Sequence, residues 1–329
     1  MVIRLVEGLG PTGNTSTAMV DESAHWKCSF VNNMPDGAFR ETEHQFLELL
    51  NLASGRKIIE VRRHTMSGVD RGESVLSHIE ENYRPLSEIK LFAPDIVIVT
   101  GSNPIEISID AEPYWDEMSD LLRWASQNVS TVLLSCLAAH AALLVFDDIA
   151  RVRLERKCTG VFPQHVDIDH PLGAGIGDDV LMPHSRINST DAEELRRHGY
   201  AIALGSPAQG WSIATKTIDR CDLVLMQAHP EYEPWSLIRE YRRDARRFVT
   251  RERNARPVLP YHCVAEEDWH LLQDLDAALS PTDRGGELLD GYPFGEVGAR
   301  APWPWRSAAK QLYVNWLTGV RIERGETRA

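Results

Sequence analysis

Along the chain, short runs of nearly uninterrupted apolar residues alternate with longer segments whose apolar positions recur every three or four residues. The first pattern reads as strand buried on both faces, the second as helix covering one of them. Lys27 to Val31 predicts a first strand. The turn chemistry of Asn32-Asn33-Met34-Pro35-Asp36-Gly37 follows, and an apolar stripe across Glu41 to Leu50 predicts a helix. Lys57 to Arg63 predicts a second strand with alternating character. Pro94 to Thr100 predicts a third that is apolar almost throughout and therefore central. After the loop Gly101-Ser102-Asn103-Pro104, a helix is expected around Tyr114 to Trp124. Thr131 to Leu134 then reads as a strand running into Leu137, Ala141, Leu144 and Val145 at helical spacing. Shorter strands at 159 to 166, 200 to 204, 211 to 214 and 223 to 227 are separated by Gly, Pro, Asn and Asp, which predicts a more antiparallel second half. A long charged helix is expected over 234 to 250.

Strands alternating with helices imply an α/β fold: a doubly wound, mostly parallel sheet with right-handed crossovers and helices on both faces. Ligands in such folds bind outside the carboxyl ends of the strands. Residues 1–26 contain Gly-Leu-Gly-Pro-Thr-Gly-Asn-Thr-Ser-Thr and read as an N-terminal arm or loop. Residues 27–250 are expected to form the main domain. Residues 251–329 read as a C-terminal extension packed on it, with one helix over Leu271 to Leu279 between irregular connections, covering the active site or a dimer face. No internal repeat is present.

Composition narrows the function. A chain of 329 residues that is 43% hydrophobic has enough apolar material for a large core. A net charge of -13 argues against a nucleic-acid footprint and against attraction to anionic membranes. The five cysteines, at 28, 136, 158, 221 and 263, show no C-x-x-C spacing. They suit reduced thiols in a cytoplasm better than a disulfide framework or a metal site. With no basic, apolar leader and no membrane-length apolar run, the expected class is a cytoplasmic enzyme or binding protein.

Cys136 falls where a strand turns into a helix, a place that lifts a side chain off the sheet edge towards the unpaired N–H groups of the incoming helix. Free cysteines are also commonly plain core residues. Gln227-Ala228-His229-Pro230-Glu231 follows another apolar strand, so a histidine at a strand's carboxyl end has a carboxylate two residues later. Such a pair can take a proton from a nucleophile while the carboxylate orients the ring, or it can be a loop histidine beside a helix-capping acid. Parallel strands would bring Cys136, His229 and Glu231 to one crevice, making them a candidate catalytic triad.

The landmarks Asn33-Met34-Pro35, Glu41-Thr42-Glu43, Val99-Thr100-Gly101, Glu112-Pro113-Tyr114-Trp115, Ser135-Cys136, Lys157 with Gly160-Val161-Phe162, Pro183-His184-Ser185-Arg186, His229-Pro230-Glu231-Tyr232 and Glu240-Tyr241-Arg242-Arg243-Asp244 occur in that order. So ordered, they closely resemble the homoserine O-succinyltransferase and O-acetyltransferase family, whose fold is like that of class I glutamine amidotransferases. Trp305-Arg306 and Leu312 to Leu317 extend the resemblance towards the C-terminus. It implies ping-pong acyl transfer from acyl-CoA to the hydroxyl of L-homoserine in methionine biosynthesis, by a homodimer with no permanently bound cofactor or metal. Cys136 would carry the acyl group, His229 would act as base and Glu231 would orient it. Lys157, Ser185 and Arg243 would hold the amino acid. Backbone N–H groups of Leu137 and of the Gly101-Ser102 loop would hold the oxyanion.

Two departures from the family pattern stand out. The residues after the nucleophile, Leu137-Ala138-Ala139-His140, make an elbow without glycine, so its backbone geometry is open. In the loop after Gly101, proline comes one position late, so either Ile105 or Glu106 occupies the place that in the family sets acetyl against succinyl. The alternatives carried forward are a glutamine amidotransferase, a γ-glutamyl hydrolase and a non-catalytic ligand sensor on the same scaffold. His140 has no assigned role; His184, Trp115 and Trp316 read as packing or supporting residues.

Overall fold

A computed structural model describes residues 2–5, 25–55 and 57–320. In chain order the first half contains β1 (Val2–Leu5), β2 (His25–Val31), α1 (Asp36–Ala53), β3 (Ile58–Thr65), α2 (Glu73–Asn82), β4 (Arg84–Pro85), α3 (Ile89–Phe92), β5 (Ile96–Val99), α4 (Trp115–Asn128), β6 (Thr131–Ser135) and α5 (Leu137–Asp147). The second half contains β7 (Val152–Val166), β8 (Asp179–Ser189), α6 (Ala192–Arg197), β9 (Ala201–Ser206), β10 (Gly210–Ile218), β11 (Cys221–Met226) and α7 (Ser236–Val249). Four helices follow: α8 (Glu266–Ala278), α9 (Asp283–Gly291), α10 (Phe294–Arg300) and α11 (Arg306–Thr318).

All the strands join one sheet in the order β1-β3-β2-β5-β6-β11-β10-β9-β7-β8, with β4 beside β3. Neighbours from β1 to β11 run parallel, while β10, β9, β7 and β8 continue the sheet antiparallel. The chain moves from β2 outward to β3, then returns to β5 and continues the other way. The strand order therefore reverses between β2 and β5, the place where such sheets open a crevice.

The alternation along the central strands explains why helices cover both faces. Ile96 and Ile98 of β5, Leu133 of β6 and Val224 and Met226 of β11 join one core with Phe46 and Leu50 of α1. Val97, Val99, Val132, Leu134, Leu223 and Leu225 point the other way, into a second core with Leu121 and Leu122 of α4 and with α5. Strands buried on both sides have no polar positions to spare, which is why these runs were readable as strands. Among the described residues no helix is long and apolar enough to cross a membrane.

Several expectations need correction. Val2–Leu5, read as part of an arm, pairs with β3 at the sheet edge; residues 6–24 of that arm lie outside the described residues. The strand expected at 159 to 166 begins at Val152, and its partner β8 was not foreseen. The region after 250 holds four helices rather than one, and α2 was also missed. Trp305, Leu312, Tyr313, Trp316 and Leu317 share the core of α1 and β5. The Trp316 indole N–H donates to Thr131 Oγ1 at 2.9 Å, tying the last helix to the start of β6.

The C-terminal segment also touches β7 directly. Val161 N–H donates to Tyr261 O at 2.8 Å, and Tyr261 N–H donates to Thr159 O at 3.2 Å, across Gly160. Gly160 has φ +140°, and a Cβ there would lie 2.6 Å from Tyr261 N. Gly160→Ala is therefore expected to destabilise the protein by at least ~2 kcal/mol, through backbone strain and a backbone clash together. The midpoint of chemical denaturation checks this, and an unchanged midpoint would contradict it.

Candidate active site

β6 lies between β5 and β11, with Leu134 opposite Val99 and Ser135 opposite Met226. The ladder continues one residue further, where Cys136 N–H donates to Met226 O at 2.7 Å. The chain then turns sharply: Cys136 has φ +50° and ψ -109°, and α5 begins at Leu137. A non-glycine residue in this region costs on the order of 1–3 kcal/mol and persists only where its surroundings impose it. The missing elbow glycine has a counterpart on the adjacent loop. A Cβ on Gly101 would sit 3.2 Å from Cys136 Cβ and 3.4 Å from both Leu137 N and Ser135 O. Thus the backbone after β5 packs directly on the elbow. Leu137 N–H is the first amide of α5, and such amides have no acceptor within their own helix.

The neighbouring strand β11 delivers His229. Its backbone N–H donates to Pro183 O at 2.8 Å, and its ring stacks on Tyr232 with centroids 4.4 Å apart. Nδ1–H donates to Glu231 Oε1 at 2.7 Å, fixing the tautomer that leaves Nε2 for the Cys136 thiol. Burial alone would drive the proton off this ring. The Glu231 charge and hydrogen bond, with the Cys136 sulfur nearby, outweigh burial and lift His229 from 6.5 to about 10. A ring so raised is a strong base towards a thiol. The structure therefore brings together the three residues proposed as a triad.

A cavity of ≈ 530 Å³ opens in front of Cys136, with His229 and Glu231 in its wall. Lys157, Ser185 and Arg243 line it too, and they converge on two carboxylates. Lys157 Nζ donates to Glu240 Oε2 at 3.0 Å and Asp244 Oδ2 at 3.1 Å. The Ser185 hydroxyl donates to the same Glu240 oxygen, and Tyr232 OH donates to Glu240 Oε1 at 2.5 Å. Arg243 Nη2 donates to Asp244 Oδ1 at 3.1 Å. Burial favours a neutral Glu240, but Lys157 and Arg243, with the Ser185 and Tyr232 hydroxyls, hold it down at about 2. Glu240 is the hub of this end of the site. Its position in a run of charged residues on α7 gave no signal separating it from solvent-facing neighbours.

Arg186 lines the same cavity and was not singled out either. It is 5% exposed, and its guanidinium donates to Asn188 O at 2.8 Å and to Gln209 O. Its Nε has no partner, and it makes no ion pair among the described residues. Burial works against its charge; the groups pulling the other way are the thiols of Cys158 and Cys136.

The loop after β5 is divided. Gly101, Ser102, Asn103 and Pro104 line the cavity, whereas Ile105 and Glu106 do not, and Ile105 is 75% exposed. Their N–H groups donate to buried Glu112 at 3.0 and 3.1 Å, while Arg151 Nη2 donates to Glu106 O at 2.7 Å. These contacts hold the loop beyond Pro104, so neither Ile105 nor Glu106, one of which takes the acyl-selecting place in the family pattern, lines the cavity. His140 is a core residue: it meets Thr190 Oγ1 at 3.1 Å and packs edge-on against Trp211. Burial, with Arg186 and Arg151 nearby, holds it down at about 3. His184 is likewise buried and lowered, chiefly by burial. Trp115 and Trp316 pack in the two cores.

The family profile "HTS: Homoserine O-succinyltransferase" matches residues 12–323. The chain is 35% identical over 295 residues to a homoserine O-succinyltransferase of Rhodopseudomonas palustris, covering 89% of this chain and 87% of that protein. It is 37% identical over 289 residues to one of Bradyrhizobium japonicum, with 87% of each chain covered. Among solved structures, a glutamine amidotransferase of Thermotoga maritima overlaps 91% of this chain and 99% of its own, at 12% identity and a TM-score of 0.48.

The raised His229 has a consequence for stability. Its folded value of about 10 lies above the unfolded 6.5, so its proton stabilises the fold fully below pH 6.5. That contribution fades as pH rises towards 10. Glu231→Gln removes the charge responsible, so its stability should fall less than that of the wild type between pH 6.5 and 10. Chemical denaturation across that window checks this; parallel declines in both proteins would contradict it.

Proposed function

The chain belongs to the homoserine O-succinyltransferase family, and we propose that it moves a succinyl group from succinyl-CoA to the side-chain hydroxyl of L-homoserine through an acyl-cysteine. It is an acyltransferase. The observation that carries the mechanism is the placement of Cys136, on a strained elbow, with the His229–Glu231 pair in the wall of one cavity.

The proton that Cys136 shares with His229 rests on Nε2 as Sγ attacks the thioester carbonyl. The Leu137 N–H and the backbone after Gly101 receive the developing oxyanion. The C–S bond to CoA breaks, and the departing sulfur takes the proton from His229. Homoserine then enters, and His229 removes its hydroxyl proton as the oxygen attacks the acyl-cysteine carbonyl. When the C–Sγ bond breaks, the same proton returns to Cys136. Each half uses one base and one oxyanion site, so a single centre serves both large substrates in turn.

The polar end of the cavity suits an amino acid. Glu240 and Asp244 offer charge to an α-ammonium, while Arg243 can fork onto an α-carboxylate and Lys157 and Ser185 supply further donors. Arg186 favours succinyl over acetyl as the donor group. A buried guanidinium without a carboxylate partner is costly, and the free carboxylate of a succinyl group on Cys136 would supply that partner. Glu106, turned to solvent, would not repel it.

After mixing with succinyl-CoA, mass spectrometry of the intact protein should show one succinyl adduct, absent in Cys136→Ala and discharged by L-homoserine. Glutamine turnover without any adduct would overturn the assignment. Arg186→Met should lower kcat/KM for succinyl-CoA by about 30-fold or more, the ~2 kcal/mol scale of a removed buried charge partner, while sparing acetyl-CoA. Equal losses with both donors would contradict the role given to Arg186.

A further inference from the structure

Glu231 is the one residue shared by the walls of two cavities: the large one in front of Cys136, and a second of ≈ 20 Å³ behind it. The second is walled by Leu49, Leu52, Pro230 and Ala309, with Trp303 among the polar and charged side chains, Glu48, Glu233 and Arg306 included, that complete it. A water needs roughly 10–15 Å³ and two to four polar partners. Glu231 is 5% exposed; Oε1 is bound to His229, but Oε2 is buried with no hydrogen-bond partner among the described residues. Trp303 Nε1 is likewise buried and unpartnered. A residue of the catalytic loop and one of the C-terminal segment, each with a buried polar atom lacking a partner among the described residues, thus line one space of single-water size.

We propose that this cavity is a site for one structural water, which accepts from Trp303 Nε1–H and donates to Glu231 Oε2, making Trp303 a positioning residue for the catalytic carboxylate. Leaving both groups unpaired would cost about 1–3 kcal/mol each. One water satisfies both and fixes the carboxylate plane against His229. The anchor is stiff: Trp303 lies between Pro302 and Pro304, whose rings limit the backbone, and the Arg306 guanidinium lies 4.5 Å over its indole. Trp305 makes a parallel grip two residues on, donating from Nε1 to Tyr232 O at 2.8 Å. Tyr313 OH is also buried and unpartnered, but it does not line this cavity. The extension therefore holds the His229–Glu231 pair from behind.

The catalytic part of this inference rests on the acyl-transfer reading; the water site does not. A high-resolution crystal structure of the full chain should show a water within hydrogen-bond distance of both Trp303 Nε1 and Glu231 Oε2. Trp303→Phe keeps an aromatic ring, smaller than the indole, and removes the donor. It should lower kcat about tenfold with KM for homoserine little changed, as expected for a misaligned orienting group. It should also move the acidic limb of the kcat profile to lower pH, because a Glu231 no longer fixed against the ring holds the His229 proton less firmly. A merely structural role would lower the melting temperature without moving that limb. Wild-type turnover tests the acyl-transfer reading, and the ratio of variant to wild type tests the role of Trp303. A wild-type crystal with no water between the two atoms would overturn the site; an unchanged kcat and pH profile in Trp303→Phe would overturn the positioning role.

Discussion

Cys136 is held at φ +50° and ψ -109°, a backbone conformation that a residue with a side chain resists, and the rest of the site takes its geometry from that turn. Three contacts impose it. The Met226 carbonyl captures the Cys136 amide, β5 and β11 clamp β6 from both sides, and Gly101 brings its backbone against the elbow where even a Cβ would be a tight fit. The strain is on the order of 1–3 kcal/mol, small beside the burial of β5, β6 and β11 on both faces. Because β11 is paired in register with β6, the same ladder that sets Cys136 also sets where His229 emerges. The elbow itself holds no glycine; the close approach is made by Gly101 on the neighbouring loop.

Electrostatics divides the cavity into two ends. Around Glu240 and Asp244 the charges are already matched: Lys157, Arg243 and two hydroxyls compensate the carboxylates, so an incoming amino acid exchanges partners rather than meeting bare charge. Near Cys136 the balance is incomplete, since among the described residues Arg186 donates to backbone carbonyls and to no carboxylate. A chain of net charge -13 thus keeps a buried cation beside its nucleophile. The His229–Glu231 pair lies between these ends, its proton held by a carboxylate that burial has made effective.

Much of this was legible in the sequence, for a physical reason. β5, β6 and β11 are buried on both faces and admit almost nothing polar, so Ile96–Val99 and Thr131–Ser135 stand out as strands. The Cys136 turn and His229-Pro230-Glu231 then follow at strand ends, and parallel pairing brings them together. β8 was missed because it covers the site: Pro183, His184, Ser185 and Arg186 serve the cavity and its surroundings, at the expense of an apolar pattern. α2 buries only Val75, and so it shows no stripe. The positions of Ile105 and Glu106 were invisible because they depend on Glu112 and Arg151, contacts made across the fold. Glu240 was hidden among like residues on α7, where only tertiary packing separates a hub from a surface charge.

The account stands or falls on Cys136 taking up the acyl group before any acceptor arrives. Rapid mixing of the enzyme with excess succinyl-CoA, without homoserine, measures this as released CoA. One equivalent per chain in a fast burst, lost in Cys136→Ala, is the predicted result. No CoA released until homoserine is added would contradict it, since transfer would then be direct and the elbow would have another purpose.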